Sequence, residues 1–177
     1  ISTGDNGAGG DASITIPFTV IDDDLYELDQ TIVVDLTAVT NVAAGAVELQ
    51  RTTYKILNVG GNDDPPNVEY LSATSTAAES DATKAVALSL STESEIDVKV
   101  TITDVTGAGE ATSDSDYEVT LEEKTIAAGT TELSFNVTLT DDAEDEDDED
   151  IVLGITGETE ASQGTNTTHT ITLSDSD

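Results

Sequence analysis

Leu133-Ser134-Phe135-Asn136-Val137-Thr138-Leu139 alternates apolar and polar residues without a break and leads through Thr140 into Asp141-Asp142. Successive side chains on a strand point to opposite faces, so this stretch presents one apolar face and one wet face. The same period recurs at Val86, Leu88 and Leu90, at Ile96, Val98, Val100 and Ile102, and around Ile171 and Leu173. It recurs again at Ile14, Ile16, Phe18 and Val20, where Pro17 marks an edge strand or a bulge because it cannot donate to a ladder. Thr, Val and Ile fill these runs, and Gly, Asp, Asn and Ser punctuate them. No sustained apolar spacing at i, i+3, i+4, i+7 competes with them. The pattern predicts an all-β chain built as an antiparallel β-sandwich.

Working outward, the chain repeats itself. Residues from Ile14 to Asp23 match those from Leu133 to Asp142 at an offset of 119, which also carries Glu27 onto Glu146, Ile32 onto Ile151 and Gly45 onto Gly164. Further on, Thr52-Thr53-Tyr54-Lys55-Ile56 matches Thr167-Thr168-His169-Thr170-Ile171 at an offset of 115, so the first copy carries a longer loop. The N-terminal half of the second copy, roughly residues 65–130, lacks its counterpart in the first, whose Ile1 aligns with Thr120. The expected organisation is therefore 1–64 as the C-terminal half of a first sandwich and 65–177 as a complete second one. Half a sandwich leaves a sheet face bare. The expectation is a stretch of a longer tandem array, with strands supplied by another chain as the other possibility. Pro65-Pro66 is the expected stiff junction, directly after Asp63-Asp64.

Composition narrows the function. The 177 residues carry 38 acids against 5 bases, a net charge of −33, which excludes nucleic acid and anionic membrane surfaces as partners by repulsion. Aromatic residues are only 3%, cysteines are absent, and no apolar run approaches the ~18 residues of a membrane helix. So much negative charge opposes compaction unless cations neutralise part of it.

The acids are clustered. Residues 141–150 hold nine acids in ten positions, framed tightly by apolar residues at Leu139 and Ile151. The first copy keeps the frame and thins the acids to Asp22, Asp23, Asp24, Glu27 and Asp29. A dense set of hard oxygen donors suits calcium, which takes six to eight of them in flexible geometry. Magnesium keeps its water, and zinc would want the His or Cys that this chain barely supplies. The loop is no EF-hand, since 141–150 contains no Gly.

Paired carboxylates can also hydrolyse glycosides, but that needs an aromatic-lined cleft, and the chain has two Phe, four Tyr and no Trp. His169 lacks any accompanying nucleophile pattern and is expected to be structural. The chain is read as a non-enzyme.

Ser115-Asp116-Tyr117-Glu118, then Ala128-Gly129-Thr130-Thr131 before a strand, then Asp141-Asp142 with Glu146 and Glu149, and finally Asp175-Ser176-Asp177 form an ordered set. In that order they resemble the Calx-β family, known from the regulatory domains of sodium–calcium exchangers and from many bacterial surface proteins. The resemblance covers 65–177 as one domain and 1–64 as the second half of another. It implies a seven-stranded immunoglobulin-like sandwich in tandem, with calcium ions in loops at the end where the chain exits. The implied ligands are Glu79, Asp116, Asp141, Asp142, Glu146, Glu149, Asp175 and Asp177. In the first copy they are Asp22, Asp23, Asp24, Glu27, Asp63 and Asp64. Ala143, Gln30 and Ser176 stand where the family often has acids.

The function expected on this basis is a calcium-binding extender of an extracellular, cell-surface adhesive or matrix protein. Calcium stiffens junctions with neighbouring tandem domains, and other copies in a fibre or surface layer are possible partners. The alternatives are a calcium-sensing regulatory domain of a transporter-like membrane protein and a ligand-binding module.

Overall fold

The computed structural model describes residues 15–21, 23, 25–35, 51–58, 63–108 and 110–175. Strands dominate, as the period-two runs require, and the described residues contain a single 3-10 turn at Glu79–Asp81.

Two strands stand apart. β1 (Gln30–Asp35) and β2 (Arg51–Ile56) pair antiparallel with Ile32 opposite Tyr54. The other ten are β3 (Asn67–Tyr70), β4 (Thr74–Ala78), β5 (Thr83–Leu90), β6 (Val98–Asp104) and β7 (Tyr117–Val119), followed by β8 (Glu123–Ile126), β9 (Glu132–Leu139), β10 (Glu149–Thr159), β11 (Ser162–Gln163) and β12 (Thr168–Ser174). They form two five-stranded sheets, ordered β4-β12-β10-β6-β8 and β11-β3-β5-β9-β7.

The apolar positions of the alternating runs meet between these sheets. Val68, Tyr70, Leu88 and Val137 from one sheet and Val100, Ile102, Ile151, Leu153 and Ile171 from the other are all buried. Such a core of β-branched and aliphatic side chains is what a chain poor in aromatics can build. Burying each one contributes about 1.5–3 kcal/mol.

Three expectations need correction. First, the sandwich has ten strand segments where seven were implied, and two pairings are parallel. The leading strand breaks after Tyr70 and crosses to the other sheet, so β4 runs parallel beside β12, and short β11 runs parallel beside β3. Second, β6 begins at Val98, so Ile96 lies before it; the Ser94 hydroxyl accepts the Ile96 N–H and donates to its carbonyl, closing a tight turn there. Third, residues 15–21 form no strand, although Ile16, Phe18 and Val20 alternate like β9. β9 is held on one edge by β5 and on the other by β7. No described strand pairs with residues 15–21, and an alternating sequence without a partner has no ladder to join. Ile14 lies outside the described residues.

Candidate metal centre

Strand register alone delivers the acids to one end of the sandwich. In the parallel β4–β12 pair Ala78 sits opposite Ser174, so the next residues, Glu79 and Asp175, leave the sheet side by side. In the β7–β9 pair Tyr117 sits opposite Leu139, and the Thr140 N–H donates to the Asp116 carbonyl at 2.8 Å, fixing the start of the acidic loop to the turn before β7. Glu149 opens β10 at the other end of that loop. The loop folds back on the chain's exit, because the Glu146 N–H donates to the Asp175 carboxylate at 3.0 Å.

Local bonds position the two innermost acids. Asp116 accepts the Thr112 N–H at 2.5 Å on its carboxylate, within a turn that holds Asp114 at a φ of 74°. Glu79 starts the 3-10 turn, which Asp81 closes by accepting the Ala78 N–H at 3.0 Å. Both are buried, with 6% of Glu79 and 8% of Asp116 exposed.

The electrostatics show how close the group is. Burial pushes the Glu79 carboxyl above its usual range, and the charges of Asp175, Glu146, Asp142 and Asp116 push it the same way. Burial likewise raises Glu146, with Asp116, Asp142, Glu144 and Asp175 adding to it. Glu149 is raised by burial, by the charges of Asp116 and Glu146, by a hydrogen bond with the Asp116 carboxyl, and by Glu110. Six predicted ligands, Glu79, Asp116, Asp142, Glu146, Glu149 and Asp175, thus share one electrostatic neighbourhood.

None of the chain's five basic side chains serves them. Arg51 pairs with Asp35, Lys55 with Asp29 and Lys99 with Glu123. The ammonium groups of Lys84 and Lys124 donate to the carbonyls of Thr76 and Thr120. Among the described residues no three acids already stand as a closed coordination shell. The donor set fits a hard divalent ion, because every side-chain donor is a carboxylate oxygen.

Other predicted residues fall differently. Asp141 lies in the same loop, one residue ahead of Asp142. Asp177, Asp22 and Asp24 lie outside the described residues. In the first copy Asp23, Glu27 and Asp63 line a cleft of about 240 Å³ together with Val20, Ile56 and Leu57. Asp64 is exposed and does not line this cleft. Asp29 is taken by Lys55 and by the Asn58 N–H. His169 is structural as expected: its Nδ1 donates to the Ser72 carbonyl at 2.7 Å, which leaves Nε2 to accept from the Ser75 hydroxyl at 2.9 Å.

The sequence reading missed two acids. Glu110 bears on Glu149 and accepts the Asp150 N–H at 3.1 Å. Glu95, in the turn before β6, meets Glu27 of the first copy: burial, a hydrogen bond with Glu95 and its charge all raise the Glu27 carboxyl. Neither carries a local signal, since each acts through a partner tens of residues away.

The profile of the family described as "Calx-beta domain" matches residues 8–59 and again 61–177. Among solved structures, the apo-form Calx CBD1 domain superposes with a TM-score of 0.59 at 17% identity, over 64% of this chain and 100% of that one. The calcium binding domain CBD12 of CALX1.1 gives 0.57 at 17% identity, over 62% of this chain and 45% of that one. The Calx CBD2 domain gives 0.56 at 14% identity, over 62% and 86%. At these identities the likeness shows the fold. No curated protein matches the chain.

Proposed function

We propose, for a chain that belongs to the Calx-beta domain family, that the loop end of the 65–177 sandwich binds calcium and that this stiffens a tandem extender of an extracellular adhesive or matrix protein. The observation that carries the reading is the pair of buried carboxylates, Glu79 and Asp116, set among four further acids while all five basic side chains are engaged elsewhere. Buried charge without a counter-charge is costly, so the compensating cation has to come from solution.

Glu79, Asp116, Asp142, Glu146, Glu149 and Asp175 would hold the ion, with Asp141 and Asp177 as further donors from the same end. A bound divalent ion supplies positive charge that turns their repulsion into a cross-link. The chain's own part is to deliver donors from the β4 end, the β7 turn, the β9–β10 loop and the chain exit, so that these four stretches are tied together when the site is filled. Ligands assembled only by the fold make binding energy into folding energy.

The supporting facts for the extender role are the two family matches in one chain and the acids Asp63 and Asp64 immediately before Pro65-Pro66. The likeness to CBD structures supports a second reading, a calcium-sensing domain of a transporter-like membrane protein. In neither reading does the chain act as a catalyst.

A calcium titration by calorimetry, with melting in excess chelator as its companion, tests the proposal. At calcium 100 times Kd the sandwich gains about 2.7 kcal/mol. Affinities of about 10⁻⁴–10⁻³ M favour the extender and 10⁻⁷–10⁻⁵ M the sensor. Melting that is the same in calcium and in chelator would remove the metal reading altogether.

A further inference from the structure

Asp104, the last residue of β6, has its carboxylate committed within the chain. Its Oδ2 accepts the Tyr117 hydroxyl at 2.5 Å and its Oδ1 accepts the Thr106 N–H at 3.0 Å. Tyr117 opens β7 on the facing sheet and is only 1% exposed, so its phenol crosses the core to reach Asp104. The Thr106 hydroxyl lies 3.0 Å from the phenol oxygen and accepts the Val152 N–H of β10 at 2.9 Å. A phenol has one proton to give, and Asp104 takes it, so the Thr106 hydroxyl donates to the phenol oxygen. A continuous chain of hydrogen bonds thus runs from β7 across to β6 and β10.

We propose that Tyr117, Asp104 and Thr106 form an inter-sheet brace whose task is to position two donors of the calcium site, Asp116 and Glu149. The inference rests on the calcium reading of that site. Each end of the brace adjoins a donor in the chain: Asp116 directly precedes Tyr117, and Glu149 opens the strand that carries Val152. The two acids come from facing sheets and hydrogen bond to each other. The N–H groups of Thr112 and Thr140 hold Asp116 to its own side of the sandwich, through its carboxylate and its carbonyl. The brace is what relates that side to β10. A hydrogen bond to a carboxylate is short and strong, which suits it to hold such a spacing. Groups that orient metal ligands from behind typically govern affinity by about 10–100-fold.

Two other roles fit less well. As a further calcium ligand, Asp104 would have to give up the Tyr117 hydroxyl, leaving a buried donor without a partner. As mere glue between the sheets, the brace adds little to a core in which Val100, Ile102, Ile151 and Leu153 are already buried. Glue would also act on stability and leave the calcium affinity of the folded chain alone.

Tyr117→Phe in the intact chain keeps the buried ring and removes only the hydroxyl. Its calcium affinity by calorimetry is expected to fall by about tenfold or more. Asp104→Ala is expected to match it, and the double variant to lose no more than about twofold further, because both remove one brace. Should Asp104→Ala fail to fold, Thr106→Val takes its place in the cycle. Thr106→Ser, which keeps the hydroxyl, is expected to bind calcium like the unmodified chain. Lower melting temperatures with unchanged affinity would reduce the brace to glue and overturn the proposal, as would losses that add in full. A second arm uses no metal. In excess chelator, hydrogen exchange at the Thr112 and Thr140 amides, both bonded to Asp116, is expected to speed up by about tenfold in Tyr117→Phe. Ile151 and Ile171 are expected to exchange as before. Unchanged exchange at Thr112 and Thr140 overturns the proposal. If the unmodified chain takes up no calcium, the calcium reading fails by itself, and this arm still decides whether the brace positions Asp116.

Discussion

Ala78 on β4 and Ser174 on β12 are register partners in a parallel pairing, and the residues that follow them, Glu79 and Asp175, emerge together at the end of the sheet. The first and last strands of one edge therefore place two acids in contact range without any contribution from the loop that carries most of the charge. Glu79 is the more consequential of the two because it is buried. Glu79→Gln keeps its shape and removes its charge. Without metal, the variant is expected to melt a few degrees higher, since about 1 kcal/mol moves a domain of intermediate size by roughly 3–5 °C. Its calcium affinity is expected to fall by about tenfold or more, or about 1.4 kcal/mol and upward. Calorimetry with paired melts in chelator and calcium checks both directions; an unchanged affinity would take Glu79 out of the site.

The same cluster sets a pH dependence. Burial comes first in raising Glu79, Glu146 and Glu149, and neighbouring carboxylates add to it. A carboxyl raised in the folded state holds its proton more tightly folded than unfolded. Its contribution to stability is full below the ordinary glutamate value of 4.5 and is lost as pH climbs through the raised folded values. Asp104 runs the other way. Burial pushes it up, but hydrogen bonds from Thr106 and Tyr117 hold it below the usual range, so its contribution is lost only in stronger acid. Between pH 5 and 7.5 the glutamates decide the sign. Melting of the calcium-free chain is expected to fall across that interval, and saturating calcium is expected to abolish the fall. A calcium-free melting temperature that rises from pH 5 to 7.5 would contradict this account.

Much of this was legible in the sequence because period-two alternation encodes both the strand and its buried face. Val86, Leu88, Val98, Val100, Ile102, Val137, Leu139, Ile171 and Leu173 all entered the core from alternation alone. Alternation could not say whether a ladder forms at a given run, which is why Ile16, Phe18 and Val20, read as a strand, lie in none among the described residues. Nor could it show that the leading strand changes sheets after Tyr70, since that depends on which edge is free. At the site, the acidic run and the repeat pointed to Asp142 and Glu146 from spacing, and family likeness pointed to Glu79, Asp116, Glu149 and Asp175. Glu110 and Glu95 stayed hidden because charge clustering across a fold is a property of register and not of sequence neighbourhood.

Core substitutions separate the two copies. Leu153 is fully buried between the sheets, and its counterpart Val34 is half-buried on β1. Leu153→Ala is expected to destabilise the sandwich by about 2–5 kcal/mol through lost burial and the cavity left behind. Val34→Ala removes less surface from a site with room to relax, and is expected to leave the melting of the 65–177 sandwich unchanged. Denaturant titration of both variants, with the wild-type slope as reference, checks the contrast. Equal losses would mean that the two copies share one core.

Tyr26 is where the first copy touches the second. Its hydroxyl donates to the Glu160 carboxylate at 2.7 Å, and its carbonyl accepts the Glu95 N–H at 2.9 Å. Hydrogen bonding to Glu160, followed by burial, raises the Tyr26 phenol to about 12. The Glu27 and Glu95 carboxyls meet at the same junction, so Tyr26 holds together two stretches that carry like charge. Tyr26→Phe deletes a hydrogen bond to a charged group, worth about 1.5–3 kcal/mol. Amide exchange at Glu95 is expected to speed up by about tenfold or more, the rate change that such a loss permits when opening is local. The sandwich core should exchange as before, since Val68, Leu88 and Ile151 make no use of the contact. If Glu95 exchange is unaffected in Tyr26→Phe, the backbone bond alone fixes the junction and the phenol is incidental to it.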